Sequence, residues 1–186
     1  MAKRSKGIAF LLLGFVFLLA AGGWWLYNEL EDQSAGQQAA EILQEFDQIQ
    51  QTQSETAPVI TVGGDAFCGK VIVPKLEIEL PVYDEWNDAR LKSAPCRYTG
   101  RIETDDMIIA AHNYRRHFGR LNQLKPGDSV TFIDAYGAVH DYEICEIVTL
   151  DGTAISDMHA GGWDLTLFTC TKDGQQRVAA RCERKS

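Results

Sequence analysis

No charged residue occurs from Gly7 to Tyr27, and no acidic residue precedes Glu29. The rest of the chain lacks several features that would point elsewhere. It has no Cys-x-x-Cys pair, so a zinc ribbon is not expected. His112 and His117 lie five apart rather than three or four, which argues against a helical metal pair. There is no basic surplus: 18 Lys and Arg stand against 26 Asp and Glu, for a net charge of −8. A nucleic-acid binder needs a cationic stripe, so that class is disfavoured. There is no internal repeat, and 186 residues are too few for two full enzyme domains beside a membrane segment.

The uncharged run 7–27 is long enough to cross a bilayer core of roughly 30 Å as a helix. Lys3, Arg4 and Lys6 precede it, so residues 1–6 are expected to stay cytoplasmic; Trp24, Trp25 and Tyr27 fall where the far interface would lie. A cleaved signal peptide, with Ala20-Ala21-Gly22 as its site, is the competing reading, but those have shorter apolar cores. Residues 28–58 read as a stalk or linker. Ile42, Leu43, Phe46 and Ile49 are at helical spacing within 37–50, followed by a joint at 52–58. A disordered tether is the alternative.

From residue 59 onward, short apolar or alternating runs are punctuated by Gly, Pro and Asp, the pattern of a mainly β domain. Strands are expected over 67–73, 79–83, near Tyr98, and over 107–111, 129–134, 139–150, 163–171 and 176–184. Lys125-Pro126-Gly127-Asp128 and Lys172-Asp173-Gly174 are turn signals, and short helical pieces fit 89–94 and 117–124. Eight strands are enough for a closed barrel.

The chemistry concentrates in two segments. Asp164-Leu165-Thr166-Leu167-Phe168-Thr169-Cys170 ends a strand on a thiol, and Arg177 follows seven residues later; Met107-Ile108-Ile109-Ala110-Ala111 ends on His112. A thiol nucleophile, an imidazole that titrates near neutrality and a permanently charged guanidinium are the parts of a cysteine acyl-transfer site. His117 is the weaker alternative base, and Arg181, which shares a strand face with Arg177, is the rival cation.

The Thr-Leu-x-Thr-Cys segment, with a histidine before it and an arginine after it, resembles the sortases over residues 67–184; this chain has Ala-His where the family commonly has Gly-His. The resemblance implies an eight-stranded β-barrel over 59–186, held outside the cell by a single-pass anchor. It implies Cys170, His112 and Arg177 as catalytic residues, with Thr169, Asn113 and the loop 152–162 lining the peptide groove. It further implies cleavage of a signal similar to Leu-Pro-x-Thr-Gly on surface proteins, then transfer through a thioacyl intermediate to an amine of a peptidoglycan precursor or a pilin. No cofactor or metal is expected, although Asp105, Asp106 and Asp151 are weak calcium candidates. Segments 69–83 and 91–98 look like class B and clostridial class D sortases, while the short 152–162 loop leaves no space for the class B insertion. A hydrolytic peptidase and a non-catalytic peptide-binding module are the alternatives. Of the other thiols, Cys68 and Cys182 lie on the first and last expected strands, where a disulfide is conceivable; free thiols are favoured.

Overall fold

The computed structural model describes residues 2–52, 58–153 and 155–185. Helix α1 runs Ala2–Thr52. The chain divides into two compact units, one ending at Ser34 and one spanning Ala35–Ser186. The first is helical and exposes Phe10, Leu11, Phe17, Leu18, Trp24 and Trp25, and the helix is long and apolar enough to cross a membrane.

The second unit is a β-barrel. Its strands are β1 (Ile60–Val62), β2 (Asp65–Val73), β3 (Ile78–Tyr83), β4 (Cys96–Thr99), β5 (Met107–Ala110), β6 (Ser129–Asp134), β7 (Val139–Asp151), β8 (Leu165–Cys170) and β9 (Gln176–Arg184), with a five-residue helix α2 (Ile155–His159). The sheet order β1-β2-β3-β4-β5-β8-β9-β7-β6 closes through an added β2–β6 pairing. Eight strands form the ring, and β1 is appended to β2. A closed ring leaves no edge among its eight strands, so strand ends are held from both sides.

Local sequence accounts for these elements. On β6, Val130, Phe132 and Asp134 are buried and alternate with more exposed Ser129, Thr131 and Ile133, the period of a half-buried strand. All four residues of β5 are buried: Met107 and Ile109 face the main core and Ile108 the outer cluster with Met158 and Ala179, while β4 and β8 pair with it on either side. Parallel neighbours need a long crossover, and here it carries β6 and β7. Val71, Phe132, Ile109, Leu165, Leu167 and Tyr142 fill the core.

The part of α1 within the second unit packs on the barrel. Phe46 is 0 % exposed and meets Phe67 edge-on at 6.5 Å, and Phe67 in turn stacks on Tyr83 at 4.3 Å. Lys70 donates to Asp47 and Glu79, each at 2.8 Å, and Gln50 Nε2 donates to the Asp134 carbonyl. Ile42 and Ile49 join the same apolar cluster. The expected amphipathic stretch is therefore helical, with its apolar side against the barrel. The joint expected at 52–58 lies mostly outside the described residues.

All five thiols are free. Cys68 and Cys182 are not neighbours, since β6 and β7 separate β2 from β9 in the ring.

Candidate active site

The β8–β9 hairpin sets the geometry. Its antiparallel register pairs Thr169 with Val178 and Cys170 with Arg177. Directly opposed residues project to the same face, so thiol and guanidinium share one side of the sheet. The seven-residue spacing seen in the sequence is thus a cross-strand pair. The turn between them is rigidly built: Gly174 adopts φ +74°, and Asp173 accepts hydrogen bonds from Thr171 Oγ1 at 2.5 Å and the Gln175 amide at 3.1 Å. Those two bonds hold the Asp173 carboxyl below its usual range. Arg177 Nη1 donates to the carbonyls of Gly174 and Gln176 at 3.1 and 3.0 Å, which anchors the cation on the β8–β9 turn. At the end of β7, a Cβ on Gly152 would collide with the Gln175 carbonyl; the absence of a side chain lets β7 close on this turn.

His112 arrives from the other flank of β8. Parallel pairing matches Ala110 with Phe168, and the Ala111 amide donates to the Phe168 carbonyl at 3.1 Å. The ladder ends at that pair, and His112 follows two residues beyond it. Thr169, 3 % exposed, donates its hydroxyl to the Ala111 carbonyl at 2.9 Å, so its side chain clamps the ends of β5 and β8 together. The His112 ring stacks on Tyr114 at 4.5 Å, and its Nδ1 lies 3.5 Å from Asn113 Oδ1. Asn113 Nδ2 donates to the Thr171 carbonyl at 3.4 Å, tying this loop to the hairpin.

The rival residues are buried or bound to other groups. His117 is buried with its ring edge-on to Tyr114, and His140 lies between Asp134 and Arg184. Arg181 pairs with Thr166, four residues or about 13 Å down the strand from the Cys170 pair. Its guanidinium is bound to Glu146 and the Asp157 carbonyl, and Arg184 is bound to Asp105 and the Ile102 carbonyl. Arg177 is the arginine of the three that faces Cys170.

The thiols sort by environment. Burial pushes Cys68 up to about 12 and Cys96 up to about 11, and raises Cys182 further. Cys145 is half-buried on a bulge of β7 and is raised by desolvation and by the charges of Glu183 and Glu143. Because only thiolate reacts, the burial that raises Cys68, Cys96 and Cys182 keeps them protonated and slow at pH 8. Alkylation of the full chain at pH 8, read by peptide mapping, is expected to modify Cys170 first and Cys145 more slowly. Cys68, Cys96 and Cys182 are expected to react only on unfolding. Prior labelling of Cys96 or Cys182 in folded protein would contradict this order.

Cys170 and Arg177 line a cavity of about 330 Å³. Its apolar wall is an aromatic ladder: Trp86, 47 % exposed, lies edge-on to Tyr98 at 6.1 Å, and Tyr98 edge-on to Phe168 at 5.4 Å. Leu91 and Met158 complete it, and Asp88 and Asp151 supply negative charge. Of the expected lining loop 152–162, Gly152 and Met158 border this cavity. Thr169 and Asn113 border a second cavity that also reaches Cys170. Sequence reasoning missed Trp86, Tyr98 and Leu91 as lining residues. The exposed tryptophan between polar neighbours was the available signal.

No group of three or more His, Cys, Asp or Glu side chains suited to a metal ion occurs among the described residues.

Residues 71–185 match the family model of the sortase domain. Sortase A of Listeria monocytogenes is 27% identical over 114 residues, covering 58% of this chain; the chain spans only 51% of that relative. Among solved structures, sortase C1 from Streptococcus agalactiae superposes with a TM-score of 0.61 at 24% identity, covering 71% of this chain and 73% of the other. The structure of Listeria monocytogenes sortase A gives 0.60 at 24% identity, covering 66% and 89%. The family model alone covers well over half the sequence, and the barrel is that of solved sortases: the chain belongs to the sortase family.

Proposed function

We propose that this protein is a membrane-anchored cysteine transpeptidase. In this reading it cleaves a sorting signal similar to Leu-Pro-x-Thr-Gly on surface proteins and transfers the new carboxyl end to a cell-wall or pilin amine. The observation that supports the proposal is the register pairing Cys170 with Arg177 at an apolar cavity, with His112 two residues past the end of β5, the strand on the other flank of β8.

Cys170 Sγ attacks the carbonyl carbon of the peptide bond as its thiol proton passes to His112. The oxyanion develops beside the Arg177 guanidinium, whose turn contacts hold it in place before substrate arrives. The C–N bond breaks as His112 returns the proton to the departing amine, leaving a thioester on Cys170. An incoming amine then attacks the thioester carbon, loses a proton to His112 and expels the sulfur. Water gives the same sequence with a carboxylic acid as product.

The aromatic ladder suits the apolar residues of such a signal. Residues 7–27 are proposed as a single-pass anchor with residues 1–6 inside, 28–58 as the connecting segment and 59–186 as the catalytic body outside the cell; the lysines and arginine before the apolar run favour that orientation.

The test uses full-length protein in detergent micelles, a panel of sorting-signal peptides, and added primary amines. Ligated masses are expected in which the amine replaces the segment after the scissile bond, in proportion to amine concentration. Hydrolysis that no amine diverts would replace this reading with a peptidase. Peptide retention without any cleavage would replace it with a binding module.

A further inference from the structure

Arg181, the arginine set four residues along β9 from Arg177, lies on the same sheet face as Cys170. The register places Thr166 opposite Arg181, Phe168 opposite Ala179 and Cys170 opposite Arg177, so one face of β8 and β9 carries all six side chains. On that face β7 adds Glu146 opposite Arg181 and Val148 opposite Ala179, and β5 adds Ile108 opposite Thr166. The Cys170–Arg177 pair therefore stands at one end and the Arg181–Glu146 pair about 13 Å away at the other, with apolar residues between them.

Helix α2 packs on that apolar middle. Met158 is buried against Ile108 and Ala179, with Tyr98, Val148 and Phe168 around them. Five residues are too few for a helix to be stable by itself, and soon after it the chain bends at Gly161 and Gly162, with φ of +103° and +64°. Arg181 supplies the fastening. Its side chain is largely buried; Nη1 donates to Glu146 Oε1 at 2.7 Å and Nη2 to the carbonyl of Asp157, the residue next to Met158, at 2.5 Å. Among the described residues, this is the hydrogen bond that joins α2 to a strand. The planar fork holds a carboxylate of β7 and a carbonyl of α2 in fixed directions; a lysine would keep the charge and lose the fork.

Met158 also borders two cavities. One is the 330 Å³ cavity of Cys170, and the other is a gap of about 50 Å³ lined by Ile108, Trp163 and Thr166. Its side chain is thus a partition between them. An unbranched thioether adapts to the space it is given, so the place of the partition is set by where α2 is held.

We propose that Arg181 is a positioning residue: it fastens α2 to the sheet, so that Met158 closes the larger cavity and limits the size of the apolar side chain a signal peptide can place there. This inference rests on the transpeptidase reading, in which the peptide enters the cavity beside Cys170. Arg181 acts through α2 and touches neither the peptide nor the reacting atoms.

The experiment uses full-length protein in detergent micelles and two signal peptides, with leucine or phenylalanine at the apolar position. It reads the ratio of kcat/KM for ligation, phenylalanine over leucine, so a uniform loss of folded protein cancels. Met158→Ala is expected to raise that ratio by about tenfold, the scale at which an apolar pocket discriminates small changes in size. Arg181→Met, which keeps bulk and removes the fork, is expected to raise it in the same direction, and Arg181→Lys to recover part of the parent's preference. The double variant Met158→Ala with Arg181→Met is expected to match Met158→Ala alone, because the arginine works through the methionine. An unchanged ratio in Met158→Ala would overturn the partition. Equal slowing of both peptides in Arg181→Met, or additive shifts in the double variant, would overturn the positioning role; in each of these cases the transpeptidase stands. Absence of any thioacyl adduct in the parent would overturn the transpeptidase reading and this inference with it.

Discussion

Cys170→Ala is expected to remove thioacyl formation and ligation altogether, lowering turnover by at least about four orders of magnitude, while the melting temperature stays close to that of the parent. The sulfur is half-buried at a strand end rather than in the core, so its loss opens no sizeable cavity. Chemistry, by contrast, has no substitute for it: the remaining thiols are held elsewhere, and burial keeps Cys68, Cys96 and Cys182 protonated. His112→Ala is expected to cost about as much, and the double variant no more than either single one, because residues that act as a unit lose their effect together. Single-turnover mass spectrometry with a signal peptide checks all three. A thioacyl adduct on any other residue of Cys170→Ala, or additive losses in the double variant, would show that these two side chains do not form one catalytic unit.

What could be read in the chain beforehand follows from the range of each interaction. The strand runs were legible because alternation and turn chemistry are local; β6 and β9 have the bounds their apolar pattern predicts, 129–134 and 176–184. β1 and α2 escaped notice, being only three and five residues long. Cys170, His112 and Arg177 stood out as chemical types at the ends of apolar runs. Their convergence at neighbouring strand ends was expected too; what the residues alone left open was Arg177 against Arg181, which depends on a cross-strand register that brings Cys170 opposite Arg177 and leaves Arg181 opposite Thr166. Thr169 illustrates the same limit. Adjacent to Cys170 in sequence, it points to the opposite face and bonds the Ala111 carbonyl. The wall of the first cavity was hidden because Trp86, Tyr98 and Met158 come from three segments that share no pattern, and only the closed ring assembles them.

Phe46→Ala is expected to destabilise the protein by about 3–5 kcal/mol, the usual result of truncating a fully buried aromatic side chain. The magnitude follows from its surroundings. The ring has no exposed surface, packs against Phe67, and through it reaches the Phe67–Tyr83 stack that joins β2 to β3. Nearby electrostatic links carry far less. Lys70 meets both Asp47 and Glu79, but those carboxylates are about 36% and 42% exposed, and such pairs contribute at most about 1 kcal/mol in water. Asp47→Asn should therefore shift the thermal midpoint by a few degrees or less, and Phe46→Ala by about 10 °C or more in a chain of this size. Thermal melts of the full-length variants in one detergent give the comparison. The same packing implies that a fragment beginning at Val59, which lacks Phe46, Ile42 and Ile49, melts well below one beginning at Ala35. Equal melting of the two fragments, or an unshifted Phe46→Ala, would mean that the helix is dispensable to the barrel and serves as a tether only.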